Sequence, residues 1–310
     1  MSCIKLTSPL IFNQKGRVKD AFYVLGHARA PVYFLDARRP IFFDAGFCCL
    51  GRIYEEAIRS VLGGRCPEIL CITHVHYDHC GATSYLKRAF PMLQVAASSL
   101  AAQIIQRPSA QQLMRSLNQD VISSITGVDK NKLIAEPFEP FEVDTILTDG
   151  HVIELEEGLT IHVLATPGHT RDFLSYYIPE KKILIASEAA GCADLTGYIV
   201  PQFLVDYESY LAGLKRLATL DVEILCQGHN FVFVGKTVKD FFTRSIESTE
   251  RFRARVEELL KVEKGSIDRV VARIKAEEYD DRPSPKQTEN AYLLSLRAQV
   301  THLAEKCKKT

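Results

Sequence analysis

The run Thr73-His74-Val75-His76-Tyr77-Asp78-His79-Cys80-Gly81 decides how the rest of the chain is read. Four metal-competent side chains, His74, His76, Asp78 and His79, fall within six residues of a chain with nine histidines in 310. The apolar run Ile69-Leu70-Cys71-Ile72 before it predicts a short buried strand, and Ala82 to Phe90 after it predicts a helix. The cluster therefore sits past the carboxyl end of a strand, where α/β proteins build their sites. Alternate side chains of extended backbone share a face, so His74, His76 and Asp78 are expected to converge. Entry into the helix at Asp78 and His79 is expected to turn the backbone and aim His79 elsewhere. This allows one metal on the first two histidines and a second on the Asp-His pair. Imidazole with carboxylate suits zinc first, with iron or manganese as alternatives.

Three further apolar runs end in metal-competent residues. Leu159 to Ala165 leads to Thr166-Pro167-Gly168-His169-Thr170, which puts His169 in place as a third ligand to the first metal. Ile183-Leu184-Ile185-Ala186 ends in Ser187-Glu188, and Ile224-Leu225-Cys226 leads through Gln227-Gly228 to His229. Upstream, Pro31 to Leu35 and Ile41 to Phe43 read as a hairpin that stops at Asp44-Ala45-Gly46. Asp44 reads equally as a turn or cap residue and as outer support for a metal site. His151 and His162 read as solvent-side or neighbour-bonded residues rather than ligands. Residues 98–126 carry helical spacing in Leu100, Ile104, Leu113, Leu117 and Val121, divided into two helices by Pro108. That block reads as a substrate lid or as a surface helical pair.

Composition narrows the function classes. Formal net charge is +0, which gives no basic stripe for nucleic acid and no pull toward an anionic membrane. No run of 18 apolar residues is present to span a bilayer. Nine cysteines, odd in number and irregularly spaced, read as reduced and partly buried thiols. With no apolar leader after Ser2-Cys3-Ile4-Lys5, the expected compartment is the cytoplasm.

In order, Thr73-His74-x-His76-x-Asp78-His79-x-Gly81, Thr166-Pro167-Gly168-His169-Thr170, Glu188 and Gly228-His229 resemble the metallo-β-lactamase superfamily over roughly residues 20–235. Hydrolases of the glyoxalase II type are similar, and Tyr77-Asp78-His79-Cys80-Gly81 with the C-terminal helices also resembles quinolone-signal-response thioesterases. The resemblance implies a mixed α/β (α+β) fold, a four-layer αββα sandwich. A helical insertion would fall at about 98–135, and a C-terminal helical extension at 236–310 would follow the 1–235 domain. It also implies two divalent metal ions. The first would take His74, His76 and His169, and the second Asp78, His79 and His229. Glu188 stands where the family usually has a bridging Asp.

The expected chemistry is attack by metal-bound hydroxide on an ester, thioester or lactone carbonyl, with Asp78 as the catalytic residue that holds a metal and orients the nucleophile. The expected partner is a small-molecule acyl substrate, without nucleic acid or membrane. Two other classes fit the same ligands: a metal-containing regulatory or binding module, and an iron-dependent redox enzyme. In the tail, Phe242, Ile246, Phe252 and Val256 mark one helix, stopped by Gly265. Ser266 caps a second, and Pro283 and Pro285 interrupt the chain. Leu293, Leu296, Val300, Leu303 and Cys307 mark a third. This extension is expected to act as a lid or a homodimer contact.

Overall fold

Strand by strand, the apolar runs bury alternate residues on opposite sides, and that alternation builds the layers. The computed structural model describes residues 16–281 and 288–307. The first sheet takes β1 (Gly16–Lys19), β2 (Phe22–His27), β3 (Ala30–Leu35), β4 (Ile41–Phe43), β5 (Ile69–Cys71), β6 (Gln94–Ser98) and β7 (Thr145–Leu147) in sequence order. β1 to β4 are antiparallel, and β4 to β7 run parallel. The second sheet is built from β8 (Val152–Glu156), β9 (Leu159–Ala165), β10 (Leu174–Ile178) and β11 (Ile183–Ile185). A small pair, β12 (Cys192–Ala193) and β13 (Ile199–Val200), precedes its last strands, β14 (Ile224–Cys226) and β15 (Val232–Val234). Its order is β15-β14-β11-β10-β9-β8.

The two sheets face each other across a shared core. Tyr33, Leu35, Ile41, Phe43 and Cys71 meet Ile161, Val163, Tyr176, Ile185 and Ile224 there. The intervening residues Val32, Phe34, Phe42, Leu70 and Val95 point the other way, onto helices. Those helices are α1 (Gly51–Leu62), α2 (Thr83–Ala89), α3 (Ser99–Ile105) and α4 (Pro108–Ser124). On the far side, Leu184, Leu225 and Phe233 pack against α5 (Tyr207–Leu217), α6 (Lys236–Val262), α7 (Ile267–Lys275) and α8 (Glu289–Cys307). The result is the αββα sandwich that the period-two pattern requires.

Several expectations are met in detail. Pro108 takes the first position of α4, where its missing N–H costs nothing. Ser266 caps α7 by accepting the Arg269 N–H. Six described cysteines are buried and free, while Cys66 and Cys307 are free and exposed. None of the described helices is long and apolar enough to cross a membrane.

Other expectations need correction. His79 does not enter a helix: residues 77–79 form a turn closed by His79 and Cys80 N–H bonds to the His76 carbonyl, and α2 starts only at Thr83. In the tail, Leu296, Val300 and Leu303 are buried against the rest of the chain, but Cys307 is exposed, so the stripe of α8 ends a turn early. Pro283, Pro285 and Cys3 lie outside the described residues. The start of α8 also reaches across the molecule, with Ala291 in the core of the first helical layer and Asn290 donating to Asp120 of α4 at 3.3 Å.

Candidate metal centre

Backbone tethers bring the strand ends of the two sheets together. The Leu174 N–H, at the start of β10, donates to the Thr73 carbonyl at 2.8 Å, and the Tyr176 hydroxyl donates to the Ile72 carbonyl at 2.7 Å. Asp172 accepts the Val75 N–H at 2.8 Å, which pins the histidine loop to the loop that carries His169. His169 follows Gly168, whose φ of +131 favours glycine and whose β-carbon would lie 2.5 Å from the Tyr210 backbone.

The first nest of nitrogens follows. His74 Nε2 lies 2.9 Å from His76 Nδ1, which lies 3.2 Å from His169 Nε2. The outer nitrogens have their own partners. His74 Nδ1 donates to Thr73 Oγ1, and His169 Nδ1 to the Gln202 carbonyl, leaving both Nε2 atoms as acceptors. Acceptor nitrogens crowded at this spacing suit a shared cation, because two ligands each about 2.1 Å from one metal stand roughly 3.0–3.4 Å apart, from right-angled to tetrahedral geometry. Burial pushes the His169 pKa down to about 3 and holds His74 well below the ordinary imidazole value, so both rings are neutral, the form that binds metal.

The second nest holds Asp78, His79 and His229. Asp44, in a left-handed conformation at φ 61, accepts the Thr73 N–H at 2.8 Å and faces His79 Nδ1 at 2.8 Å. This turns His79 Nε2 inward. His229 Nδ1 donates to the Arg29 carbonyl at 2.6 Å, which turns its Nε2 the same way. Glu188 lies between the nests. Its Oε1 stands 3.0 Å from Nε2 of both His79 and His229, and its Oε2 stands 3.8 Å from His74 Nε2. His79 Nε2 and Glu188 Oε1 are fully buried and, among the described residues, meet as an ion pair rather than through a directed hydrogen bond. Burial opposes a charge on His79, but the Glu188, Asp78 and Asp44 carboxylates outweigh it and hold the ring's pKa well above the ordinary value. The cluster thus gathers carboxylates and imidazole nitrogens at metal-ligand spacing, and the residues fit divalent metal.

Glu188 reaches this place because Gly228 makes room. A β-carbon at 228 would lie 1.9 Å from Glu188 Oε1. The longer carboxylate occupies the space a side chain would fill.

Above the nests opens a cavity of about 670 Å3. His76, Asp78, His169, Glu188 and His229 line it together with residues of α3, α4, α8 and the β12–β13 segment.

A profile of the metallo-beta-lactamase superfamily matches residues 32–229. The chain belongs to the metallo-beta-lactamase superfamily. The superfamily match ends at His229, the last residue of the second nest, and leaves α6 to α8 beyond it. The chain is 28% identical over 173 residues to a hydroxyacylglutathione hydrolase of Mesorhizobium japonicum, covering 54% of this chain and 50% of that one. It is 23% identical over 161 residues to an atrochrysone carboxyl ACP thioesterase of Aspergillus fumigatus, covering 52% of this chain and 38% of that one. The chain therefore spans half or less of the length of these two relatives. A metallo-beta-lactamase family protein of Thermus thermophilus shares the fold with a TM-score of 0.63 at 18% identity, covering 94% of this chain and 95% of that one.

All seven residues read from the sequence, His74, His76, Asp78, His79, His169, Glu188 and His229, come together in the two adjoining nests. Sequence reasoning missed Asp172 and the fit of Gly228 around Glu188. Asp172 lies three residues after His169 in a short loop, and that spacing was its only signal.

Proposed function

We propose that this protein is a metal-dependent hydrolase of acyl thioesters, with esters and lactones as chemically related substrates. His74, His76 and His169 would hold one divalent ion and Asp78, His79 and His229 another, with Glu188 between the two sets. Zinc is the expected metal on donor chemistry. The observation that carries this reading is Glu188 Oε1, buried and 3.0 Å from each of two inward-facing imidazole nitrogens at the floor of a substrate-sized cavity. Hydroxyacylglutathione hydrolase and ACP thioesterase, the names of two relatives, supply the thioester preference.

When bound, such ions lower the pKa of a coordinated water and polarise a carbonyl. The chain's own residues do the rest. Asp78 lies on the cavity floor, 3.7 Å from His229 Nε2 and 4.0 Å from His79 Nε2, where its carboxylate orients the attacking water and takes up its proton. Asp44, Thr73 and the carbonyls of Arg29 and Gln202 fix the imidazole tautomers.

The test is hydrolysis of a simple acyl thioester by the full chain, before and after chelation and again after adding metal back. Loss on chelation and recovery on reloading is the expected result. Turnover that persists unchanged after verified metal removal would overturn the reading.

A further inference from the structure

Seven large apolar side chains are largely exposed among the described residues, and three of them, Leu113, Leu195 and Leu294, line the one cavity above the metal nests. They are 50%, 49% and 46% exposed and come from three separate elements: α4, the β12–β13 connection and α8. Single exposed leucines are ordinary, but three from separate elements around one mostly apolar cavity mark a binding site, with Arg29, Arg107, Arg171, Asp194 and Glu278 as charged members of its lining. The wall below continues it. Leu100 and Ile104, one turn apart on α3, and Leu117, one turn beyond Leu113 on α4, line the same cavity. A volume of about 670 Å3 falls within the roughly 300–1,000 Å3 of pockets that enclose a small-molecule ligand.

We infer that this cavity selects an extended apolar acyl chain over a short or polar acyl group, and that Leu113, Leu195 and Leu294 determine that specificity. The inference rests on the hydrolase reading above for its chemistry, but the chain-binding surface stands on its own geometry. The carbonyl end lies on the floor with Asp78 and Glu188, and the methyl end lies between α4 and α8. A short or polar acyl group would leave these leucines facing water and gain nothing from them.

The experiment measures kcat/KM of the metal-loaded full chain on straight-chain thioesters of one small thiol, from acetyl to tetradecanoyl. The expected result is a rise of about fourfold for each added methylene, ending once the cavity is filled. A profile that is flat, or that falls from acetyl onward, overturns the inference while the hydrolase reading stands. Leu113→Trp should move the optimum to shorter chains, and Leu294→Asp should flatten the rise. Both side chains are half exposed, so folding is expected to survive, and thermal melting checks it. Unchanged profiles in both variants overturn the inference. Binding of decanoate, read by displacement of a fluorescent fatty-acid probe, separates the two failures. If no thioester of any length is hydrolysed, the hydrolase reading falls. Decanoate binding weakened at least tenfold by Leu294→Asp would then still support the chain-binding surface, and absence of binding would overturn it.

Discussion

Replacing Gly228 by Ala tests how Glu188 is seated between the two nests. The new β-carbon would stand 1.9 Å from Glu188 Oε1, 2.6 Å from its Cδ and 3.0 Å from Oε2. Non-bonded heavy atoms pack at about 3.5 Å, so the carboxylate must retreat by about 1.6 Å. Metal–ligand distances are held to about 0.2 Å, roughly an eighth of that displacement. The carboxylate has little room to retreat: Glu188 is 2% exposed and its Oε2 is held by the Ser187 hydroxyl at 2.7 Å. Disturbing the support of a ligand costs about 10–100-fold in metal affinity, equal to about 1.4–2.7 kcal/mol, and here the disturbed group is the ligand itself. Competition titration of the metal-stripped protein against a chromophoric chelator measures the loss, with thermal melting of the metal-free form as the control for folding. Glu188→Asp in the Gly228→Ala background shortens the side chain by a methylene and should recover part of the affinity, a coupling that a double-mutant cycle reads directly. Wild-type affinity and stoichiometry in Gly228→Ala would refute the reasoning.

Asp44→Asn keeps the left-handed backbone, which Asn tolerates, and keeps one oxygen for the Thr73 N–H. It sets an amide where a carboxylate now faces His79 Nδ1, so metal affinity and kcat should each fall about 10–100-fold; equal values in both proteins would count against the orienting role. Chelation followed by reloading with zinc, iron or manganese should restore turnover to different extents, and the best metal should match that found by elemental analysis of protein as purified. Ser266→Ala removes the cap of α7 and should lower stability by about 1 kcal/mol, read as a drop in Tm at unchanged metal content.

The sequence was most legible where short range decides structure. His74, His76, Asp78 and His79 are close in sequence, so their convergence needs only a strand end and a turn. Most strands of both sheets were legible because their apolar residues alternate between two cores, as in Tyr33 and Phe34, or Leu184 and Ile185, whereas the short edge strands β1, β7 and β15 were not. The turn at 77–79 was missed because Tyr77 to Gly81 carries no periodicity that separates a tight turn from a helix start. Asp44 stayed ambiguous because an Asp before a Gly turn reads the same whether it caps a loop or holds His79. Asp172 and Gly228 act on residues distant in the chain or through the absence of a side chain, and neither leaves a local pattern. Helical spacing found α3, α4 and α8, but which of their leucines face the cavity depends on how α8 crosses to Asp120.

The most direct test of the account is elemental analysis of the purified full chain beside Glu188→Ala, both from metal-supplemented growth. The account predicts about two ions per chain for the parent and loss of affinity at both positions in the variant, with fewer than one ion retained. A parent free of metal, or a Glu188→Ala protein with the parent's stoichiometry, would contradict it.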